Sequence, residues 1–98
     1  MKITAGLYKD KKINTFSNLN IRPTSNKVRQ ALFNILINRY RWNEWCHKAN
    51  LLDVFSGSGI ISIEALSRKL NSATLIEENK RVFKFLKNNL MNFEMVNK

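Results

Sequence analysis

Apolar side chains at Val28, Ala31, Leu32, Ile35 and Leu36 recur at intervals of three and four residues, which predicts an amphipathic helix over residues 26–40. Pro23 precedes Thr24 and Ser25, and either hydroxyl can cap the first turn. From residue 50 the pattern changes. "NLLDVF" is an apolar run of strand length, "SGSG" a turn, and residues 60–69 a helix with Ile61, Ala65 and Leu66 inward. "ATLIE" is a second strand, and residues 79–91 form another amphipathic helix through Val82, Phe85, Leu86 and Leu90. Alternation of strand and helix implies an α/β arrangement of parallel strands joined by right-handed crossovers. At the start of the chain, "KITAGLYKDKKINTF" alternates loosely about "YKDKK" and reads as a small β-hairpin with a cationic tip. "SNLNIRPTSN" is a loop, and "RYRWNEWCHKAN" a connector whose Trp42 and Trp45 fold over the core more readily than they stack on bases.

Composition narrows the class. The 98 residues suit one small domain, and 44% apolar content with one proline is that of a packed chain. No apolar run approaches the roughly 20 residues that span a bilayer, and "MKITAGLYKDKKI" lacks the apolar stretch of a signal peptide, so a cytoplasmic location without a membrane partner is expected. Cys46 and His47 are the only residues of their types and cannot fill a four-ligand zinc site, so no metal is expected.

The charge is +10 overall and lopsided: residues 1–50 carry +8 and residues 51–98 carry +2. A concentrated positive patch attracts polyphosphate, which makes nucleic acid the partner to test against a merely solvated basic surface. Lys27 and Arg29 lie near the start of the first helix, where positive charge opposes the helix dipole. They fit better beside an anion, unless packing absorbs a minor local cost.

The candidate chemistry lies in "LLDVFSGSGIISIEAL". In an open parallel sheet, ligands bind beyond the carboxyl ends of the strands, where the turn into the next helix leaves backbone N–H groups unpaired. Gly57 and Gly59 fall there, and Glu77 falls at the end of the next strand with a carboxylate able to accept hydrogen bonds from a ribose diol. The ligand implied is of the adenosine type. A dinucleotide site wants G-x-G-x-x-G, whereas "GSGIIS" has Ser62 in the third glycine position. S-adenosylmethionine has no pyrophosphate but carries a sulfonium and an amino-acid end, for which Asp53 is a plausible neighbour. The residues lean toward methyl transfer.

"DVFSGSG" followed by "EALSR" and "LIEENK", with the earlier "RPTSNKVRQALFNIL" and "KITAGLYKDKKI", resembles the bacterial 16S ribosomal RNA guanine-N2 methyltransferases of the RsmD type, in register from Lys2 to about Leu90. The resemblance implies the N-terminal part of a class I S-adenosylmethionine-dependent, Rossmann-like fold, preceded by the hairpin and the amphipathic helix. Residues 1–98 would then form a single incomplete domain: basic hairpin and loop (1–22), helix and connector (23–49) and a cofactor-binding half (50–98). It further implies that Asp53, Phe55, Gly57 and Gly59 line the cofactor S-adenosyl-L-methionine and that Glu77 holds its ribose. Lys9, Lys11, Lys12, Arg22, Lys27 and Arg29 would lie on the side of 16S rRNA in the small ribosomal subunit or its assembly intermediate. Ser62 and Lys69 stand where the family usually has glycine.

The family's Asp/Asn-Pro-Pro-aromatic motif, which orients the guanine amine, needs two prolines, and this sequence has only Pro23. No residue is an evident catalytic substitute. The expectation is the amino-terminal part of a methyltransferase, arising by truncation, gene splitting or decay, with a second polypeptide able to complete the sheet. Such a chain would bind cofactor weakly and not methylate alone. A noncatalytic rRNA-binding module and a nucleotide-linked oxidoreductase domain are the alternative readings.

Overall fold

The computed structural model describes residues 1–13, 25–54 and 56–92, so the expectations resting on Arg22, Pro23, Thr24 and Phe55 lie outside the described residues. Helix α1 (Asn26–Asn38) begins where Ser25 Oγ accepts the Val28 N–H at 3.2 Å. Helix α2 (Trp42–Trp45) and a 3-10 turn (Cys46–Lys48) occupy the expected connector, followed by β1 (Asn50–Asp53), α3 (Ile60–Ser67), β2 (Ser72–Leu75) and α4 (Lys80–Asn92). The strands are parallel, in register from Asn50 opposite Ser72 to Asp53 opposite Leu75. The hairpin makes one antiparallel bridge, Lys2 to Lys12, and buries Ile3 and Ile13 against Ile60 and Ile63 of α3.

The buried face of α1 differs from the one that aliphatic spacing predicts. Arg29 and Phe33 are buried and Leu36 and Ile37 half-buried, whereas Val28, Leu32 and Ile35 remain exposed. The helix is turned by about one residue, or about 100°. The cause is an ion pair between Arg29 Nε and Glu64 Oε1 at 3.0 Å, with both side chains 0% exposed. Leaving one member of a buried pair alone costs about 3–5 kcal/mol. The observed orientation satisfies both charges and still buries Phe33.

Phe33 joins Trp42, Cys46, Ala65 and Leu70 in a second core cluster. Trp42 meets Phe33 edge-to-face, with centroids 5.5 Å apart, and its indole N–H donates to the Arg68 carbonyl at 3.0 Å. It therefore packs, as expected, while Trp45 sits at the rim and donates its indole N–H to the Tyr40 carbonyl. Two expected faces are corrected. In α3, Ile61 and Leu66 are only half-buried, because Ile60, Ser62, Ile63, Glu64 and Ser67 are buried as well as Ala65. In α4, Phe85 is exposed, and the inward row is Val82, Leu86 and Asn89.

The carboxylate of Glu64 joins three parts of the chain. It accepts the Thr4 N–H (2.9 Å) and hydroxyl (3.0 Å), the Ala5 N–H (3.2 Å), Arg29 Nε and, at 3.0 Å, Arg68 Nε. At the far end of α3, Ser67 repeats the arrangement. Its carbonyl accepts the Leu7 N–H, while its hydroxyl accepts the Tyr8 N–H and donates to the Ala5 carbonyl. The approach is so close that a Cβ on Gly6 would lie 2.0 Å from the Ser67 carbonyl oxygen.

Burial alone would raise the pKa of Glu64 and favour the neutral acid. The hydrogen bonds from the Thr4 amide, Arg68, Arg29 and the Thr4 hydroxyl outweigh it and hold the carboxyl below its ordinary value. Because the folded value is the lower one, this contribution is complete above the unfolded-chain value of about 4.3 and is lost as pH falls toward the folded value. Urea unfolding followed by circular dichroism is expected to show the midpoint falling as pH drops below about 4.3. At neutral pH, Glu64→Gln is expected to remove about 3–5 kcal/mol of unfolding free energy, since it strands Arg29 in the interior.

Candidate cofactor-binding loop and basic surface

The turn from β1 to α3 needs backbone that side chains resist. Gly57 has φ 54° and Gly59 φ 83°. At Gly59 a Cβ would also come within 2.5 Å of Leu86 Cδ1 on α4, so a side chain there would force Leu86 to move. Asn89 of α4 reinforces the contact, its amide donating to the Ser58 carbonyl at 3.0 Å. Ser56 locks the start of the turn: its hydroxyl donates to the Asp53 carbonyl at 2.8 Å and its N–H to the Ile76 carbonyl at 3.2 Å.

Glu77 lies against this loop, two residues past the end of β2. Its Oε1 accepts the Gly57 N–H at 2.9 Å and its Oε2 the Asn79 N–H at 3.0 Å. One backbone bond fixes each oxygen, and the remaining lone pairs are free to accept from a ligand hydroxyl. Asp53, on the last residue of β1, has Oδ2 bonded by the Ser62 hydroxyl at 2.9 Å. The helix cap is Gly59, which has no side chain to satisfy the first-turn amides of α3. Ser58 is 4% exposed, and its hydroxyl is the one buried side-chain polar atom without a partner among the described residues. Buried polar atoms are nearly always bonded, so an orphan hydroxyl in the same turn as Gly57 and Gly59 fits a polar ligand such as an adenosine-type cofactor.

An apolar cavity of about 340 Å³ lies elsewhere, lined by residues that include Leu32, Phe33, Trp42 and Leu51. Its lining has no ionisable side chain, so the chemistry stays with the loop. Among the described residues, no three His, Cys, Asp or Glu side chains are grouped to hold a metal ion, and no helix is long and apolar enough to cross a membrane.

The expected cations divide. Lys9, Lys11 and Lys12 are exposed on the hairpin and Lys27 is exposed in the first turn of α1. Arg29 is not on that surface: it is wholly buried, bonding Glu64, the Lys2 carbonyl and Asn26 Oδ1. The anion beside Arg29 is Glu64, whereas among the described residues Lys27 has no such ion pair. Tyr8, whose ring lies 5.2 Å from Lys11 Nζ, belongs to a hairpin tip held at the C-terminal end of α3 by Ser67. The glycine loop is at the N-terminal end, about 12 Å away along eight helical residues. Arg22 and Phe55 are outside the described residues.

Glu64, Ser58 and Asn89 were not evident as site or hub residues in the sequence. Only "EALSR", with a carboxylate four residues before an arginine on a mostly apolar helix, hints at a buried pair.

The family described as Conserved hypothetical protein 95, the RsmD family, matches residues 1–98. The chain belongs to that family. Ribosomal RNA small subunit methyltransferase D of Buchnera aphidicola subsp. Baizongia pistaciae is 40% identical over 97 residues, covering 99% of this chain and 47% of that relative. The protein of the same name from Escherichia coli K12 is 37% identical over 90 residues, covering 92% and 42%. The solved structure of yhhF from Escherichia coli superposes with a TM-score of 0.78 at 33% identity, covering 99% of this chain and 49% of that one. The chain thus spans about half the length of these relatives or less, and its α/β arrangement is that of the N-terminal part of a methyltransferase fold.

Gly59→Ala is expected to cost about 2 kcal/mol of stability or more, from left-handed backbone and from the displacement of Leu86. Thermal unfolding of the variant beside the wild type measures it.

Proposed function

We propose that this chain is the S-adenosylmethionine-binding half of an enzyme that methylates the exocyclic N2 amine of a guanine in 16S rRNA. The observation that carries the cofactor reading is the contact of Glu77 with the Gly57 amide, which sets the acidic strand end beside the glycine turn. Glu77 would accept the ribose hydroxyls, the first-turn amides of α3 and the Ser58 hydroxyl would meet polar atoms of the ligand, and Asp53 would face its cationic amino-acid end. When bound, the cofactor supplies an electrophilic methyl group. What this chain does is hold and orient it. Phe55 would line the same site.

Guanine's amine is a weak nucleophile whose lone pair is delocalised into the ring, so reaction needs close positioning and a base taken out of its stack. Those 98 residues carry no Pro-Pro-aromatic segment for that task. We therefore assign the isolated chain binding without turnover. Exposed apolar side chains on β1 and just past the two strand ends, Leu52 at 61% with Val54 and Ile76, support completion of the domain by further polypeptide. The basic hairpin with Lys9, Lys11 and Lys12, together with Lys27 and Arg22, would meet the phosphates of rRNA in the small subunit or its assembly intermediate, in the cytoplasm.

Isothermal titration calorimetry with S-adenosylhomocysteine and with NADH tests the reading. Binding of the first and not the second is expected, with Glu77→Ala weakening it by about tenfold or more. Binding of NADH alone would favour the oxidoreductase reading. Retention of rRNA with no cofactor binding would favour the noncatalytic module. Methyl transfer to undermodified 30S subunits by the purified chain would refute its inactivity in isolation.

A further inference from the structure

We infer that Ser62 is a positioning residue that fixes the carboxylate of Asp53, so that a single oxygen of Asp53, Oδ1, receives the ammonium of the ligand's amino-acid end. This rests on the cofactor reading and deepens it.

Three observations converge. Ser62 is 0% exposed, so its hydroxyl must find a protein partner, and the partner is Asp53 Oδ2 at 2.9 Å. Asp53 is the last residue of β1 and Ser62 lies in the first turn of α3, so the bond spans the glycine turn and ties its two ends. The Ser56 hydroxyl bonds the Asp53 carbonyl, which fixes the main chain of the same residue. Asp53 is therefore held through backbone and side chain alike, and its Oδ1 has no partner among the described residues. A charge-assisted bond to a cationic nitrogen is strong when its acceptor is already oriented.

A serine here also changes what the loop can do. Glycine at this position would leave both oxygens of Asp53 free and its side-chain torsion unconstrained. The hydroxyl of Ser62 removes one acceptor and sets the direction of the other, selecting for a ligand that presents one donor group at that point.

Two probes separate this role from helix packing. S-adenosylhomocysteine carries the ammonium, whereas 5′-methylthioadenosine keeps the adenosine and sulfur but lacks the amino-acid end. Calorimetry on the full 98-residue chain, with thermal unfolding as a fold control, would compare wild type with Ser62→Ala, Ser62→Gly, Asp53→Asn and the double variant Asp53→Asn/Ser62→Ala. Ser62→Ala and Ser62→Gly are expected to weaken S-adenosylhomocysteine by about fivefold and to leave 5′-methylthioadenosine within about twofold. In the Asp53→Asn background, Ser62→Ala is expected to change nothing further, since the two residues act as one unit. Equal weakening of both probes would assign Ser62 to packing and overturn the inference. So would unchanged binding of S-adenosylhomocysteine, or a full additional loss in the double variant. If wild type binds neither probe, the cofactor reading itself fails and the inference falls with it.

Discussion

A carboxylate in the interior governs this small fold. Glu64 is wholly buried, and taking an ion out of water costs several kcal/mol unless its lone pairs are filled. Filling them brings together residues 4 and 5 of the hairpin, Arg29 of α1 and Arg68 at the end of α3. The rotation of α1, the seating of the hairpin and the buried course of α3 all follow from it. The cofactor loop inherits the result, because the first turn of the helix that carries Glu64 also carries Ser62 and is capped by Gly59.

The elements from residue 50 onward were legible in the sequence, because short apolar runs, a glycine turn and helical periodicity are local signals and parallel strands follow from their alternation. Glu77 could be set beside the loop for the same reason: once two parallel strands are adjacent, their carboxyl ends share one edge. The face of α1 was not legible. Counting aliphatic residues assumes that a charged side chain points outward, and Arg29 reverses that assumption through a partner 35 residues away. The same misreading put Arg29 among the cations offered to RNA. The connector concealed α2 because a helix of four residues is too short to show a period.

Side chains at two turns of the chain have different outcomes. Lys69 adopts φ 75°, so the left-handed turn after α3 carries a cost of about 1–2 kcal/mol for its side chain. Ser62 instead contributes a hydroxyl that bonds Asp53 across the glycine turn. One residue strains the backbone, and the other shapes the polar surroundings of the loop.

The docking of the hairpin also orders events in time. Ala5 bonds Ser67 across 62 positions, and Thr4 bonds Glu64 across 60. Contacts of such range close late, because the loop-closure entropy must be met before they form. During synthesis at roughly 5–20 residues per second, the first 13 residues emerge seconds before the helix they rest on. Through that interval Ile3 and Ile13 lack the α3 residues they bury against. The hairpin segment is thus made before α3 and docks on it late.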